Sequence, residues 1–504
     1  MSLRKNILAN YVSQIYVALI GIVMVPLYIR YMGAETYGLV GFFTMLQAWF
    51  QVLDMGLTPT MAREAARFNG GAIDAMHLRR LLRAMEGIFV TVAAMGCALL
   101  VGGSGPIAAG WLKVQQLSVH EVQLAVVLIA VIVALRWVCG LYRGAITGFE
   151  QLVWLGGFNV IFATARFVLV IPLFVYVGVN PTDFFAYQLL LAVIEIALLV
   201  TKTYQILPQI EAKLHVPVEW ASLRGIVKFS VSISIASLAW LMATQADKLV
   251  LSKLLPLTEY GYFSLVAMVA GGVLVISSPI SGALLPRLTK LSAEGNTTGL
   301  IALYRSATQL VVVMAVPAAL VLSCFADKVL WVWTGNWLLV LKVAPVLTLY
   351  AIGSGVSVIA AFPYYLQYAK GNLKLHLVGS LLFVLAFMPT LIFATNSFGM
   401  VGAGWAWLFA NMVYFIFWVP FVCHKVAPGL YWTWLIKDVL ATCVPAILLT
   451  FITRIAFVWS TDRLPMGIQL FALSALLVVV SAVASSKIRA VLAAHFVKTE
   501  EIAS

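Results

Sequence analysis

The chain has 504 residues, of which 63% are hydrophobic and only 10% are charged. Soluble globular chains carry about 25% charged residues. The composition therefore excludes a water-soluble globular protein and predicts an all-α integral membrane protein. The formal net charge of +13 would suit nucleic-acid binding, but the positions of the basic residues favour a different explanation.

Fourteen apolar segments along the chain reach the length of about 20 residues that a transmembrane helix needs. The first follows Arg4 and Lys5 and is not ended by a small-residue cleavage site, which indicates a span and not a signal peptide. The predicted spans are 7–29, 38–60, 85–102, 122–143, 153–178, 183–206, 227–252, 260–284, 307–325, 343–366, 376–396, 400–422, 438–459 and 465–485.

The basic residues lie mainly on one side of this arrangement. Of the 32 Lys and Arg residues, 22 fall at the N-terminus, in the even-numbered loops or in the C-terminal tail, and 6 fall in the odd-numbered loops. Lys and Arg accumulate on the cytoplasmic side of membrane proteins. We therefore predict that both termini are cytoplasmic and that no nucleic acid is bound.

An internal repeat relates the first two spans to spans seven and eight. The segment IRYMGAETYGLVGFF aligns with LSKLLPLTEYGYFSLV when Tyr37-Gly38 is placed on Tyr260-Gly261, an offset of 223 residues. Such a parallel repeat places substrate between two halves. We predict an N-terminal six-helix bundle over 1–210, a pseudo-symmetric second bundle over 211–425, and two further helices with a cytoplasmic tail over 426–504.

Charged residues inside the predicted spans mark a candidate site in the first half, because an ionised group at mid-membrane costs about 2.5–3.5 kcal/mol. Arg136 and Arg143 share one face of span four, with Gly140 leaving a gap between them, and Arg166 lies deep in span five. Glu195 in span six is the single carboxylate at similar depth, and it also suits ion coupling. Pairing of Glu195 with Arg166 or Arg136 would fix packing alone, yet one carboxylate cannot neutralise all the arginines. Guanidinium groups bind phosphate well, so we expect a pyrophosphate-binding cavity.

Each of the other charged residues in or beside the spans has a functional and a structural interpretation. Lys248 and Asp247 in span seven are candidates for substrate binding and ion coupling, or for a surface-reaching lysine beside a structural acid. Asp54, near the end of span two, suits either ion coupling or helix packing. Arg63 and Arg287 occupy matched places in the repeat, where they suit either a basic gate for an anionic head group or ordinary cytoplasmic anchoring.

Motifs for other chemistry are missing from the sequence. No Gly-Lys dipeptide occurs, which excludes a Walker A nucleotide site in this chain, and none of the five cysteines has metal or redox spacing. The histidines lie in loops or at span ends. We expect no cofactor, no metal and no enzyme activity.

The opening stretch NILANYVSQIYVALIGIVMVPLYIRYMGAETYGLVGFF, together with QADKLVLSKLLPLTEYGYFSLV, resembles Wzx-type (O-antigen translocase) polysaccharide flippases. Their superfamily, the multidrug/oligosaccharidyl-lipid/polysaccharide (MOP) exporters, also contains MATE drug exporters and lipid II flippases. The resemblance implies two six-helix bundles around a cationic cavity. It also implies alternating-access export of undecaprenyl-pyrophosphate-linked oligosaccharide across the bacterial inner membrane, driven by an ion gradient.

The same resemblance bears on Arg63 and on partner proteins. Arg63 stands at the Pro-x-x-x-Arg place where lipid II flippases carry an important arginine. A polysaccharide polymerase and a chain-length regulator are candidate partners.

The alternative functions are those of a lipid II flippase, a MATE-type exporter and, less favoured, a membrane polymerase or acyltransferase. The surplus of buried arginine argues against cationic substrates, and the short outer loops argue against an enzyme.

Overall fold

A computed structural model describes residues 3–208 and 238–489, apart from 55, 177, 179, 239, 240 and 243, and gives only the backbone at 3–11, 278, 279 and 281–283. Within these ranges almost the whole chain is helical, which confirms the all-α class. The helices discussed below are α1 Leu3–Phe50, α2 Leu57–Asn69, α3 Ala75–Gly102, α4 Val119–Gly148, α5 Leu152–Phe167, α6 Ile171–Tyr176, α7 Pro181–Ile206, α8 Leu257–Ala293, α9 Thr297–Cys324, α10 Ala326–Thr334, α11 Trp337–Ala360, α12 Phe362–Ala369, α13 Lys374–Val413, α14 Val419–Val426, α15 Leu430–Trp434, α16 Ala441–Ala456 and α17 Arg463–Ala484.

Among the described residues, 11 helices are long and apolar enough to cross a membrane. Two of them, Val12–Asp54 and Lys374–Val426, each cover two predicted spans. Both contain a glycine with non-helical backbone angles, Gly33 (φ 76°) and Gly399 (φ 59°), where two helices join. Much of the predicted seventh span, 227–252, lies outside the described residues, so fourteen spans with cytoplasmic termini remain a prediction.

The chain divides into two compact units, an N-terminal unit Met1–Gly261 and a C-terminal unit Tyr262–Ser504. The predicted boundary between residues 210 and 211 falls outside the described residues. In the N-terminal unit α4 is the central helix and packs against α2, α3 and α7. It is apolar around most of its circumference, as a helix buried within a bundle should be.

Three glycines along α4 allow α2 to pack closely against it. A Cβ atom on Gly144 would lie 2.7 Å from the carbonyl oxygen of Thr58, and one on Gly148 would overlap the carbonyl oxygen of Ala62. At Gly140 a Cβ would lie 3.3 Å from the Thr58 hydroxyl. The expected gap beside Gly140 is therefore wrong: small residues bring two helix backbones together here, and α2 fills the space.

The two glycines aligned by the internal repeat take part in one reciprocal contact in the N-terminal unit. A Cβ atom on Gly38 would overlap the carbonyl oxygen of Leu257, and one on Gly261 would overlap the carbonyl oxygen of Ala34. Ala34 and Leu257 are separated by the same 223 residues as the two glycines. Each Tyr-Gly pair thus permits the close approach that its counterpart makes, which is how equivalent residues of a two-fold repeat should pack.

The last two helices pack onto α9 in the C-terminal unit. A polar cluster, here called the clamp, joins them and consists of Arg305, Gln309 and Asp438. Arg305 donates to both carboxylate oxygens of Asp438, from Nε at 2.5 Å and from Nη2 at 3.1 Å, and Asp438 is fully buried. Gln309 donates to Asp438 and accepts hydrogen bonds from Ser485 and from the backbone amide of Lys487.

Candidate functional site

The site begins at a break in the membrane helix that carries Arg166. Helix α5 ends at Phe167, α6 begins at Ile171, and residues 168–170 form a turn between them. Pro172 has no amide hydrogen and its ring clashes with a preceding carbonyl, so the helix cannot run through unchanged. Arg166 lies in the last turn of α5, where the partial negative charge of the helix end stabilises a cation.

Side chains replace the helical hydrogen bonds that this break removes. Non-helical backbone within a membrane is tolerated where it is buried in protein and its polar groups are satisfied. The carbonyl oxygens of three consecutive residues accept side-chain hydrogen bonds: Ala165 from Tyr187, Arg166 from Tyr28 and Gln188, and Phe167 from Tyr28. Helices α1 and α7 therefore hold the break and fix the depth of Arg166.

Helix α4 brings two further arginines to the same place. Arg136 and Arg143 are seven residues apart and so lie on one face of the helix. Arg136 donates from Nη2 to the Gln188 side-chain oxygen at 3.0 Å and lies over the Phe43 ring, 5.0 Å from its centroid. Arg143 donates to the Asn159 side-chain oxygen and lies 5.7 Å from the Phe158 ring centroid.

Glu195 on α7 completes what we call the cation cluster, namely Arg136, Arg143, Arg166 and Glu195. Its side chain is only 2% exposed, and its two oxygens accept one hydrogen bond each, from Arg143 Nη2 at 2.6 Å and from Arg166 Nη2. The interpretation that Arg166 pairs with Glu195 agrees with these contacts, whereas Arg136 reaches a neutral amide. Arg143 is the second arginine that donates a hydrogen bond to the Glu195 carboxylate.

Charge and hydrogen bonding are both incomplete in the cation cluster. Three guanidinium groups and one carboxylate leave a formal surplus of two positive charges. The Nε–H groups of Arg136 and Arg166 are buried and donate to no atom of the described residues. Arg143 and Arg166 keep 28% and 21% of their side chains exposed. Such a cluster can bind a polyvalent oxyanion, because planar guanidinium groups donate in pairs to phosphate oxygens.

In the described part of the chain, the other predicted cationic residues form no hydrogen bond with the cation cluster. Arg63 on α2 is exposed, and its Nε lies 3.7 Å from Glu64. Arg287 on α8 is exposed and belongs to the C-terminal unit. Lys248, in the helical segment 244–254, donates at 2.6 Å to Gln245 and more weakly to the Thr244 carbonyl on its own helix.

The two remaining acids predicted for ion coupling have local hydrogen bonds. Asp54 accepts from the Thr58 hydroxyl at 2.6 Å and from its backbone amide at 3.1 Å, and so caps an amide in the first turn of α2 from two residues before the N-cap position, which Gly56 occupies. Thr58 in turn packs at Gly144, which links the cap to α4. Asp247 is buried and accepts a hydrogen bond from the Lys248 backbone amide.

Sequence reasoning missed four residues that surround the arginines: Phe43, Phe158, Asn159 and Gln188. Asn159 and Gln188 carried a usable signal, because amide side chains within apolar spans need a hydrogen-bonding partner. The two phenylalanines carried none, since the apolar spans hold many aromatic residues. Only the packing of α1 and α5 shows which of them face an arginine.

Comparison with known proteins agrees with this architecture. Residues 3–292, more than half of the chain, match the family model described as "Polysaccharide biosynthesis protein". No curated protein matches the chain at a significant level. This family match confirms the resemblance inferred from the sequence motifs.

Several solved structures similar to this chain are described as a flippase or as transporters. The lipid II flippase MurJ in an inward closed conformation has a TM-score of 0.73 at 12% identity, with 94% of this chain and 97% of that chain covered. An inward-facing MATE multidrug transporter of the MOP superfamily has a TM-score of 0.66 at 13% identity, with 82% and 94% covered. A MATE transporter from Vibrio cholerae has a TM-score of 0.57 at 13% identity, with 84% and 98% covered. The chain belongs to the polysaccharide biosynthesis protein family and is a multi-pass membrane protein with the fold of the MOP transporter superfamily.

Proposed function

We propose that this protein is a flippase that moves undecaprenyl-pyrophosphate-linked oligosaccharide from the cytoplasmic to the periplasmic leaflet of the bacterial inner membrane. Alternating access would carry the head group across, and the cation cluster would bind its pyrophosphate. The observation that carries the proposal is the surplus of two positive charges, on partly accessible arginines within membrane-spanning helices.

The charge of the proposed ligand matches that surplus. A pyrophosphate that links a lipid to a sugar is a diester, and each of its two phosphates carries one negative charge at neutral pH. Binding it would neutralise the cluster and give the unpartnered Nε–H groups of Arg136 and Arg166 an acceptor. Unpaired cations at mid-membrane are costly, so the empty cluster favours an anion over a neutral or cationic ligand.

This charge balance also separates the alternatives. A MATE-type exporter of organic cations would need surplus carboxylate in its cavity, and the described cluster has surplus arginine. Lipid II, the substrate named for the MurJ structure, also carries a pyrophosphate, so the cluster would suit it equally. The family match to polysaccharide biosynthesis favours an oligosaccharide of a surface polymer.

Other parts of the prediction extend the same proposal. Arg63, Arg287 and Lys248 would contact the head group as it enters or leaves, and an ion gradient would act through Glu195 or Asp247. The hydrogen bonds of Asp54 support its capping role over ion coupling. A polymerase and a chain-length regulator would receive the exported unit.

The decisive experiment measures the leaflet location of the lipid-linked oligosaccharide in cells that lack the protein. We expect it to accumulate on the cytoplasmic side, with loss of the surface polymer, and to be restored by the wild-type gene. Arg136→Gln and Arg166→Gln should restore at most about a tenth of wild-type export. Arg454→Gln is the matched control, because Arg454 also lies in a membrane helix but bonds only to the Cys324 carbonyl among the described residues.

Two results would contradict the proposal. Normal export by the double variant Arg136→Gln/Arg166→Gln would remove the cation cluster from the transport path. Oligosaccharide that still reaches the periplasm in the deletion strain, altered only in length or acylation, would favour an enzyme.

A further inference from the structure

Glu195 occupies an unexpected position for a site that binds an anion. It is buried, and it draws one Nη2 group from each of Arg143 and Arg166. A carboxylate that contacts two of the three guanidinium groups repels any phosphate that the same arginines attract. A site made only to bind tightly would have a neutral residue at this position.

We propose that Glu195 is an affinity-limiting residue, which lowers the charge of the cluster so that a diphosphate diester can leave after it has crossed. This inference rests on the proposed function, because it assumes that the cation cluster binds the head group. It gives Glu195 a role in selecting ligands by charge, distinct from carrying a coupling ion.

The electrostatic reason follows from burial. Charge interactions over a few ångströms are several times stronger at a partly buried site than in water. Three unopposed guanidinium groups would hold a doubly charged ligand too long for repeated transport, since conduction requires binding that is strong enough to enter and weak enough to leave. One fixed negative charge reduces the surplus from three to two and matches the two charges of the ligand.

Glu195 is the one member of the cation cluster whose removal should strengthen anion binding. Arg143 of α4 and Arg166 of α5 contact its carboxylate, and Arg136 of α4 donates to Gln188. Tyr28 of α1 donates a hydrogen bond to the backbone carbonyl of Arg166. Removing any of the arginines would weaken binding, whereas removing Glu195 should strengthen it, and these opposite signs make the inference testable.

The test uses purified full-length protein in lipid nanodiscs and dimethyl diphosphate, a soluble diester with two charges and no titratable proton near neutral pH. We expect Glu195→Gln to bind this probe at least about tenfold more tightly than the wild type, while oligosaccharide export in cells falls. Glu195→Asp, which keeps the charge, should bind within about threefold of the wild type, since a shared charge state gives a similar Coulomb energy. A purely structural role for Glu195 predicts weaker binding and weaker export together.

A second pair of variants covers the case in which Glu195→Gln does not fold, because it leaves two arginines without their carboxylate. Arg143→Gln alone reduces the surplus to one and should weaken binding. Arg143→Gln/Glu195→Gln removes one whole ion pair, which buried sites often tolerate, and returns the surplus to two. Its affinity should be at least about tenfold above that of Arg143→Gln, by the same charge argument.

Each result decides between the proposals. Equal or weaker binding after loss of Glu195 in both backgrounds would overturn the affinity-limiting role and leave the anion site intact. Export that loses its dependence on an ion gradient, with unchanged affinity for the probe, would assign Glu195 to ion coupling. No binding of the probe by folded wild-type protein would contradict the anion site, and with it the proposed function.

Discussion

Two buried arginine–carboxylate clusters in this chain differ in how completely they are satisfied. In the clamp of the C-terminal unit, one arginine meets one aspartate through two hydrogen bonds, and Gln309 donates a third to the same carboxylate. In the cation cluster of the N-terminal unit, Arg143 and Arg166 share Glu195, Arg136 has only the Gln188 amide, and two buried Nε–H groups have no acceptor among the described residues.

The difference teaches how to separate a structural from a functional charge within a membrane protein. A balanced, fully hydrogen-bonded pair costs little to keep and joins helices, as the clamp joins α9 to the C-terminal helices. A surplus of charge raises the free energy of the empty protein. Such a surplus is retained where a ligand of opposite charge compensates for it.

The largest expected effect is on the clamp. Asp438→Ala leaves Arg305, whose side chain is 25% exposed, without its carboxylate, which should lower the free energy of unfolding by about 3 kcal/mol, the lower end of the range for a broken buried pair. Thermal unfolding of the detergent-solubilised protein would measure it. The double variant Arg305→Met/Asp438→Leu should recover much of this loss, and recovery of less than half would show that the pair also serves another purpose.

Substitution of Arg136 in the cation cluster should reduce export without reducing stability. Arg136→Gln should reduce export by about tenfold to a hundredfold, the loss of about 1.4–2.8 kcal/mol of ligand binding, while the unfolding temperature stays at or above the wild-type value. Arg305→Gln is the matched control and should lower the unfolding temperature. If both variants lose stability equally, the distinction between the clusters fails.

The close packing of α2 on α4, the helix that carries Arg136 and Arg143, should show an intermediate effect when it is disturbed. Gly144→Ala places a Cβ atom 2.7 Å from the Thr58 carbonyl oxygen, and such overpacking costs about 1–3 kcal/mol. Gly87→Ala on α3 is the control, because its Cβ would meet no atom within 4 Å. The first variant should unfold at lower temperature and export less, and equal behaviour of the two would contradict the close packing of α2 on α4.

The smallest effect should come from the cap at Asp54. Asp54→Ala should cost about 1 kcal/mol of stability through loss of the cap, with export per folded molecule unchanged. Asp54→Asn keeps an acceptor for Thr58 and should resemble the wild type in both respects. Loss of export by Asp54→Asn in folded protein would instead support a role in ion coupling.

Several features of this protein followed from the sequence alone, because they depend on composition and on local patterns. Long apolar segments predicted a membrane protein made of helices, because about 20 apolar residues in a helix cross the membrane and satisfy their own backbone hydrogen bonds. The aligned Tyr37-Gly38 and Tyr260-Gly261 pairs revealed the internal repeat, and the structure adds a reciprocal contact between them that the alignment did not predict. Charge inside apolar spans located Arg136, Arg166 and Glu195, because buried charge is costly wherever it occurs.

Only the tertiary structure decided which of these charges meet and which stand apart. The sequence left Glu195 open to Arg136 or Arg166, whereas packing of α7 against α4 and α5 gives it Arg143 and Arg166 and assigns Arg136 to Gln188. The gap beside Gly140 is filled by Thr58 of α2, which lies 82 residues away in sequence. Such outcomes depend on contacts between distant segments, and a pattern along one helix specifies a face without specifying what will lie against it.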